Sequence, residues 1–312
     1  MDLIFSTPLG VYTFFCESGV LRRLRIDTPE FYGISATRNG LVLSHSGIDN
    51  ARLTSHASYL VSERGRVREY GELSTTESAA ELLQPHQVES YGDFILVANS
   101  GRNCITAFNE ERSAVHYFPT TARWDIGLAE RKANHFNSVH VEAGLVYVVA
   151  HNYQRLSTVW VFTWPGFELV DVIGTNTVWA HNVMVRGQDL VVCNSASGSL
   201  YSIEEKRDIW SVDGGGFITR GLASASGLLF AGLSAVGSRG DRKDCDAAIC
   251  VVDLDTMRTI ERFDFPGLGG IHEIRLLDIA DTCHGGPVIR VPHRLLEQGS
   301  AASAASNFQC YA

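Results

Sequence analysis

The sequence predicts an all-β chain folded as one six-bladed β-propeller, and three observations carry that expectation. A hairpin pattern recurs with constant internal spacing. Its starts lie 54, 51, 44, 39 and 52 residues apart (86−32, 137−86, 181−137, 220−181, 272−220), the length four strands and their turns require. Strand-like alternation also begins at Leu3, before the first full copy.

The hairpins are read by aligning segments. His86-Gln-Val-Glu-Ser-Tyr-Gly-Asp-Phe-Ile-Leu-Val-Ala-Asn99-Ser100 and His181-Asn-Val-Met-Val-Arg-Gly-Gln-Asp-Leu-Val-Val-Cys-Asn194-Ser195 both run 13 positions from His to Asn (99−86, 194−181). Each has an alternating strand, a Gly-containing turn and a second apolar strand. Tyr32 to His45 and Arg220 to Leu233 keep the offset, and Asn137 to His151 adds one residue. A sixth start stands at His272. The N-terminal strands, Leu3-Ile-Phe and Gly10-Val-Tyr-Thr-Phe, complete that last blade, which closes the ring and leaves no exposed edge. One domain is expected over 1–298, with blades starting near 32, 86, 137, 181, 220 and 272. Residues 299–312 are expected to form a surface tail.

Composition narrows the functional classes. Of 312 residues, 45% are hydrophobic and 20% charged, with a net charge of −9, which argues against nucleic-acid and anionic-membrane partners. The start carries no basic, apolar leader, and no stretch approaches a membrane span. The seven cysteines are scattered without a C-x-x-C pair, as expected of free thiols in a reducing cytoplasm. Cys245 and Cys250 could pair or bind metal, but they lack partners at ligand spacing. The Cys283-His284-Gly-Gly run reads as a surface loop.

The start of an innermost strand and the end of its antiparallel neighbour lie at the same end of the hairpin. The 13-spaced positions should therefore gather at one channel mouth. The first column reads Tyr32, His86, Asn137, His181, Arg220, His272; the second reads His45, Asn99, His151, Asn194, Leu233. His135, two before Asn137, points the same way on a strand. Imidazoles suit Fe, Zn, Mn, Cu or Ni, and the expected metal ligands are His86, His135, His181 and His272. Arg220 would anchor a carboxylate or phosphate, with Tyr32 and Glu89 as further catalytic candidates. Glu273 is expected to point away from the channel. Asn99, Asn137, Asn194, His45 and His151 are candidates for substrate binding. Each residue also has a structural reading, as a strand-end cap or a hydrogen-bonded core residue.

At Phe217-Ile-Thr-Arg-Gly-Leu-Ala223, with Leu229-Phe-Ala-Gly-Leu-Ser234 and His135-Phe-Asn-Ser-Val139, the chain resembles a bacterial family of six-bladed propellers of mostly unassigned function. The resemblance covers roughly residues 80–280 and implies fold and register without a reaction. More loosely, the chain is similar to gluconolactonase- and strictosidine-synthase-like propellers, but it lacks the acidic calcium-binding set of the lactonases.

Two functions follow as expectations. One is a metal-dependent enzyme acting on a small anionic metabolite at the mouth, with lyase, isomerase, hydrolase and oxygenase chemistry all open. The other is a non-catalytic propeller that binds a glycan, metabolite or protein partner there.

Overall fold

The computed structural model describes residues 1–24, 31–37, 40–45, 59–63, 66–70, 84–108, 114–117, 134–237, 241–291 and 302–303. The strands are β1 (Asp2–Thr7), β2 (Gly10–Phe15), β3 (Val20–Arg23), β4 (Phe31–Thr37), β5 (Gly40–His45), β6 (Tyr59–Glu63) and β7 (Arg66–Tyr70). Next come β8 (Pro85–Tyr91), β9 (Phe94–Asn99), β10 (Cys104–Phe108), β11 (Ala114–Tyr117), β12 (Phe136–Glu142), β13 (Leu145–Ala150), β14 (Leu156–Thr163) and β15 (Leu169–Val178). The last are β16 (Ala180–Arg186), β17 (Asp189–Asn194), β18 (Ser199–Ser202), β19 (Arg207–Ser211), β20 (Phe217–Ala225), β21 (Leu228–Ala235), β22 (Ala247–Asp253), β23 (Thr259–Phe265), β24 (Glu273–Leu277) and β25 (Ala302–Ser303).

These strands build an all-β propeller. Five four-stranded antiparallel sheets, β4 to β7, β8 to β11, β12 to β15, β16 to β19 and β20 to β23, are joined by a five-stranded sheet ordered β24-β1-β2-β3-β25. In that last sheet β1 pairs with β24 from Asp2↔Leu277 to Ser6↔Glu273, so N-terminal and late segments share one sheet. Apolar alternation and β-branched residues explain the strands, as in Leu145-Val-Tyr-Val-Val-Ala150. Among the described residues no helix is long and apolar enough to cross a membrane.

The core lies between neighbouring sheets. Phe14 of β2, fully buried, meets Phe263 and Phe265 of β23 at ring-centroid distances of 4.8 and 5.1 Å. Burying one such ring contributes about 1.5–3 kcal/mol. Similar apolar seams join β9 to β12, β13 to β16 and β17 to β20.

Two polar devices fasten sheet to sheet. At five junctions a serine in or just past the second strand donates to a carbonyl at or near the start of the next inner strand: Ser6 to Tyr32, Ser44 to His86 (2.5 Å), Ser100 to Phe136, Ser195 to Thr219 (2.6 Å) and Ser234 to Ile271. At the sixth, Asn137 Nδ2 donates to Ala180 O while Ser157 Oγ accepts Ala180 N–H. The second device serves the innermost strands, β4, β8, β12, β16, β20 and β24, each an edge of its sheet. Ser35 accepts Ser90 N–H, Gln87 accepts Val139 N–H, Glu89 accepts Val141 N–H, Ser138 accepts Asn182 N–H, and Asn182 accepts Gly221 N–H, all at 2.8–2.9 Å. Gly33 permits the close approach of β4 to β8, since a Cβ there would lie 2.6 Å from Val88 N.

The register differs from the expected one by a residue. Directly opposed pairs are 14 apart: Phe31↔His45, Pro85↔Asn99, Phe136↔Ala150, Ala180↔Asn194 and Thr219↔Leu233. A register shift follows four of these pairs directly and the fifth one pair later, after His181↔Cys193, so Tyr32, His86, Asn137 and Arg220 fall within β-bulges, which re-aim side chains. Two further expectations change. Cys283 and His284 are buried, not on a surface loop. Their segment crosses the channel end opposite the strand starts: Thr282 N–H donates to Ser224 O, His284 Nε2 donates to Leu222 O, and Cys283 Sγ meets Met184 Sδ at 3.7 Å. Within the expected tail, Ala302–Ser303 pair with β3. The six described cysteines are all free, Cys245 and Cys250 included.

Ser195→Ala should lower unfolding free energy by about 1–3 kcal/mol, because it strands the buried Thr219 carbonyl. Exposed Ser197→Ala should change it by no more than about 0.5 kcal/mol in the same urea titration. Equal effects would refute the fastening role.

Candidate functional site

The mouth is built from the starts of the inner strands. An arc of rings runs around it: His272 stacks on Tyr32 at 4.1 Å, Tyr32 meets His86 at 4.7 Å, and His86 meets His135 at 4.8 Å. His135 then meets His151 at 5.3 Å and His151 meets His181 at 5.2 Å. Arg220 Nη2 donates to His181 Nε2. Six expected residues and the expected Arg220 are thus brought together, drawn from every sheet in turn.

Hydrogen bonds fix the imidazole tautomers. His86 Nδ1 lies 2.9 Å from Gln84 O and 2.8 Å from Ser100 Oγ, whose own proton goes to Phe136 O. His181 Nδ1 repeats the arrangement with Trp179 O and Ser195 Oγ, both at 2.8 Å, and Ser195 donates to Thr219 O. His272 Nδ1 lies 2.8 Å from Phe31 O. With only acceptors available, each Nδ1 carries the proton and each Nε2 keeps a lone pair. Gln84 and Trp179 reach this geometry at φ of 50° and 59°, unusual for non-glycine residues.

Burial holds these rings neutral. It is the first cause of the lowered pKa at all four: His86, with His135 next; His181, with Arg220 next; His151, to about 3, with His135 next; and His272, to about 3, with Arg220 next. Part of Arg220 still meets solvent, yet the protein packed around it lowers its pKa to about 10. Its Nε is buried with no hydrogen-bond partner among the described residues.

Other candidates are placed elsewhere. Asn99 donates to Thr106 Oγ1 and Asn194 to Asp208 Oδ1, each tying strands of its own sheet, while Asn137 bridges to Ala180. His45 ends β5, and its side chain lies outside the described residues. Glu89 does not join the mouth. The bulge after Pro85 flips the alternation, so Glu89, three residues beyond His86, reaches β12 and the buried His140 and His284. Glu273 also turns toward the inner strands: it is buried, pairs with Arg275 at 3.3 Å and accepts from Asn182 of β16. Burial, opposed chiefly by Arg275, raises its pKa to about 7.

Sequence reasoning missed Tyr153, whose hydroxyl lies 3.3 Å from His135 Nδ1, and Ser100, the partner of His86. The repeated Asn-Ser pair was the available signal. Among the described residues, the side chains whose ligand atoms converge within 4.8 Å are Glu89, His140 and His284. The mouth imidazoles are spread along the arc instead.

No family model matches the chain, and no curated protein matches it. Among solved structures, a nidogen/laminin complex is similar at 9% identity over 88% of this chain and 97% of that chain, with a TM-score of 0.62. A computationally designed protein, Ika8, follows at 10% identity over 91% of this chain and 78% of that one, with a TM-score of 0.46. The first likeness is one of fold alone, that of a β-propeller.

The lowered imidazole pKa values set a direction for pH dependence. Above about 6.5 the folded and unfolded rings are both neutral, but below it only the unfolded chain takes up their protons. Stability should therefore fall as pH drops from about 6.5 towards about 3. The thermal midpoint of wild type should decline between about pH 7 and pH 4.5, and less steeply in His151→Asn. Parallel slopes would show that His151 is not held neutral.

Proposed function

We propose that the mouth binds a small metabolite bearing a carboxylate or phosphate, at the open end of a six-bladed ring in which the five-stranded sheet serves as the sixth blade. Arg220 is the anchor. The observation that carries this reading is its guanidinium: Nε is buried without a partner, and no carboxylate pairs with Arg220 among the described residues. A partly buried cation left without a counter-charge is costly, and an anionic ligand would supply both charge and acceptor. His86 and His272, with the proton on Nδ1, offer Nε2 acceptors to ligand hydroxyls, and Tyr32 offers a ring face.

A second reading is the metal-dependent enzyme, with a transition metal at the mouth. It is favoured by the shared tautomer of His86, His181 and His272, since an Nδ1–H held by a carbonyl or hydroxyl leaves Nε2 free to ligate. It requires Arg220 to release His181 and the rings to draw closer than they stand.

The test uses inorganic phosphate and succinate as probes, read by thermal shift and calorimetry on untagged protein. Either probe should raise the melting temperature of wild type, and Arg220→Lys should weaken binding about tenfold or more, because it loses the planar fork. No binding of either probe, or binding unchanged in Arg220→Lys, would reject the anchor. Metal content lost in a His86→Ala, His181→Ala double variant would favour the second reading.

A further inference from the structure

The closed end of the channel holds a second cluster, independent of the mouth. Glu89 of β8, His140 of β12 and His284 of the crossing segment are all buried, with exposures of 0%, 1% and 3%. His140 Nδ1 lies 3.3 Å and His284 Nδ1 3.5 Å from the same carboxylate oxygen, Glu89 Oε2.

The protons do not complete this cluster. His284 Nε2 donates to Leu222 O at 2.8 Å, so in a neutral ring Nδ1 carries a lone pair. That Nδ1 is buried, has no hydrogen-bond partner, and faces a carboxylate oxygen. Two lone pairs facing each other in the interior repel unless a proton or a metal ion lies between them.

We propose that Glu89, His140 and His284 bind one divalent transition-metal ion of the zinc type, through a carboxylate oxygen and two imidazole Nδ1 atoms. Ligand atoms about 2.1 Å from a tetrahedral zinc stand about 3.4 Å apart, which matches the two spacings to Glu89. Each ligand already has an outer partner that orients it. His140 Nε2 faces Glu142 Oε2 at 3.2 Å, His284 Nε2 is held by a carbonyl, and Glu89 Oε1 accepts Val141 N–H. A carboxylate or carbonyl behind each ligating histidine is the usual support of such sites. Two histidines and one glutamate leave a fourth position for water. Binding releases the proton that His140 Nδ1 otherwise shares with Glu89 and breaks no other bond. The ion would pin the crossing segment to β8 and β12.

The experiment is metal analysis of protein purified without a polyhistidine tag and reconstituted with zinc, with cobalt(II) as a spectroscopic substitute. Wild type should hold about one equivalent with the visible bands of tetrahedral cobalt, and chelation should lower its melting temperature. His284→Ala should abolish binding, while His181→Ala should retain it. Because His284→Ala could fail to fold, Glu142→Gln provides a second readout: it spares the ligands and should weaken zinc affinity about 10–100-fold. Less than about 0.2 equivalents in reconstituted wild type would overturn the site. Full affinity in Glu142→Gln, or zinc lost from His181→Ala but kept by His284→Ala, would overturn it too. None of these outcomes bears on phosphate or succinate binding at the mouth.

Discussion

The structure depends on how the innermost strands satisfy their open edges. A strand at the rim of a channel has N–H and C=O groups on one side that no further strand will pair, and a buried unpaired group costs about 1–3 kcal/mol. Here those groups are met by side chains of the neighbouring inner strand, such as Gln87 to Val139 and Asn182 to Gly221. The channel wall must therefore be polar, and its polar residues bind sheet to sheet before they bind anything else. Any site in this channel is assembled from side chains left over after that requirement is met.

That constraint separates the readable from the hidden. The repeat was legible because hairpin length is local: the 13-residue offset, the Gly turns and the Asn-Ser ends all lie within one hairpin. The arc of His86, His135, His151, His181, His272 and Tyr32 followed from counting along it. The bulges were not legible, because no residue type marks them and their cause is the packing of adjacent sheets, as at Gly33 against Val88. Glu89 was assigned to the mouth by its nearness to His86 in sequence, but it lies three residues further along β8, at the side of His140 and His284. Asn99 and Asn194 were polar residues in the right column, but their partners are outer strands whose register only the folded sheet reveals. Cys283 and His284 followed the last strand and read as loop; nothing local indicates that a segment returns across the ring.

The two ends of the channel drive histidine in opposite directions. At the mouth, burial and the Arg220 charge keep four imidazoles neutral. At the closed end, burial also disfavours the charged ring, but Glu89 and Glu142 overcome it and push the His140 pKa up to about 9. The sign of the nearest charge decides the difference, so one residue type presents lone pairs at one end and a shared proton at the other.

The pairing of β1 with β24 also sets an order of events in time. β1 ends at Thr7, and its partner follows 266 residues later (273−7), from Glu273 on. At about 5–20 residues per second that is a wait of about 15–50 s. Throughout it, Leu3, Ile4 and Phe5 lack the strand that finally covers one edge of their sheet. The pairing is consequently an event of high sequence separation, and the nascent chain must keep an apolar edge strand from pairing with neighbours until β24 has been made.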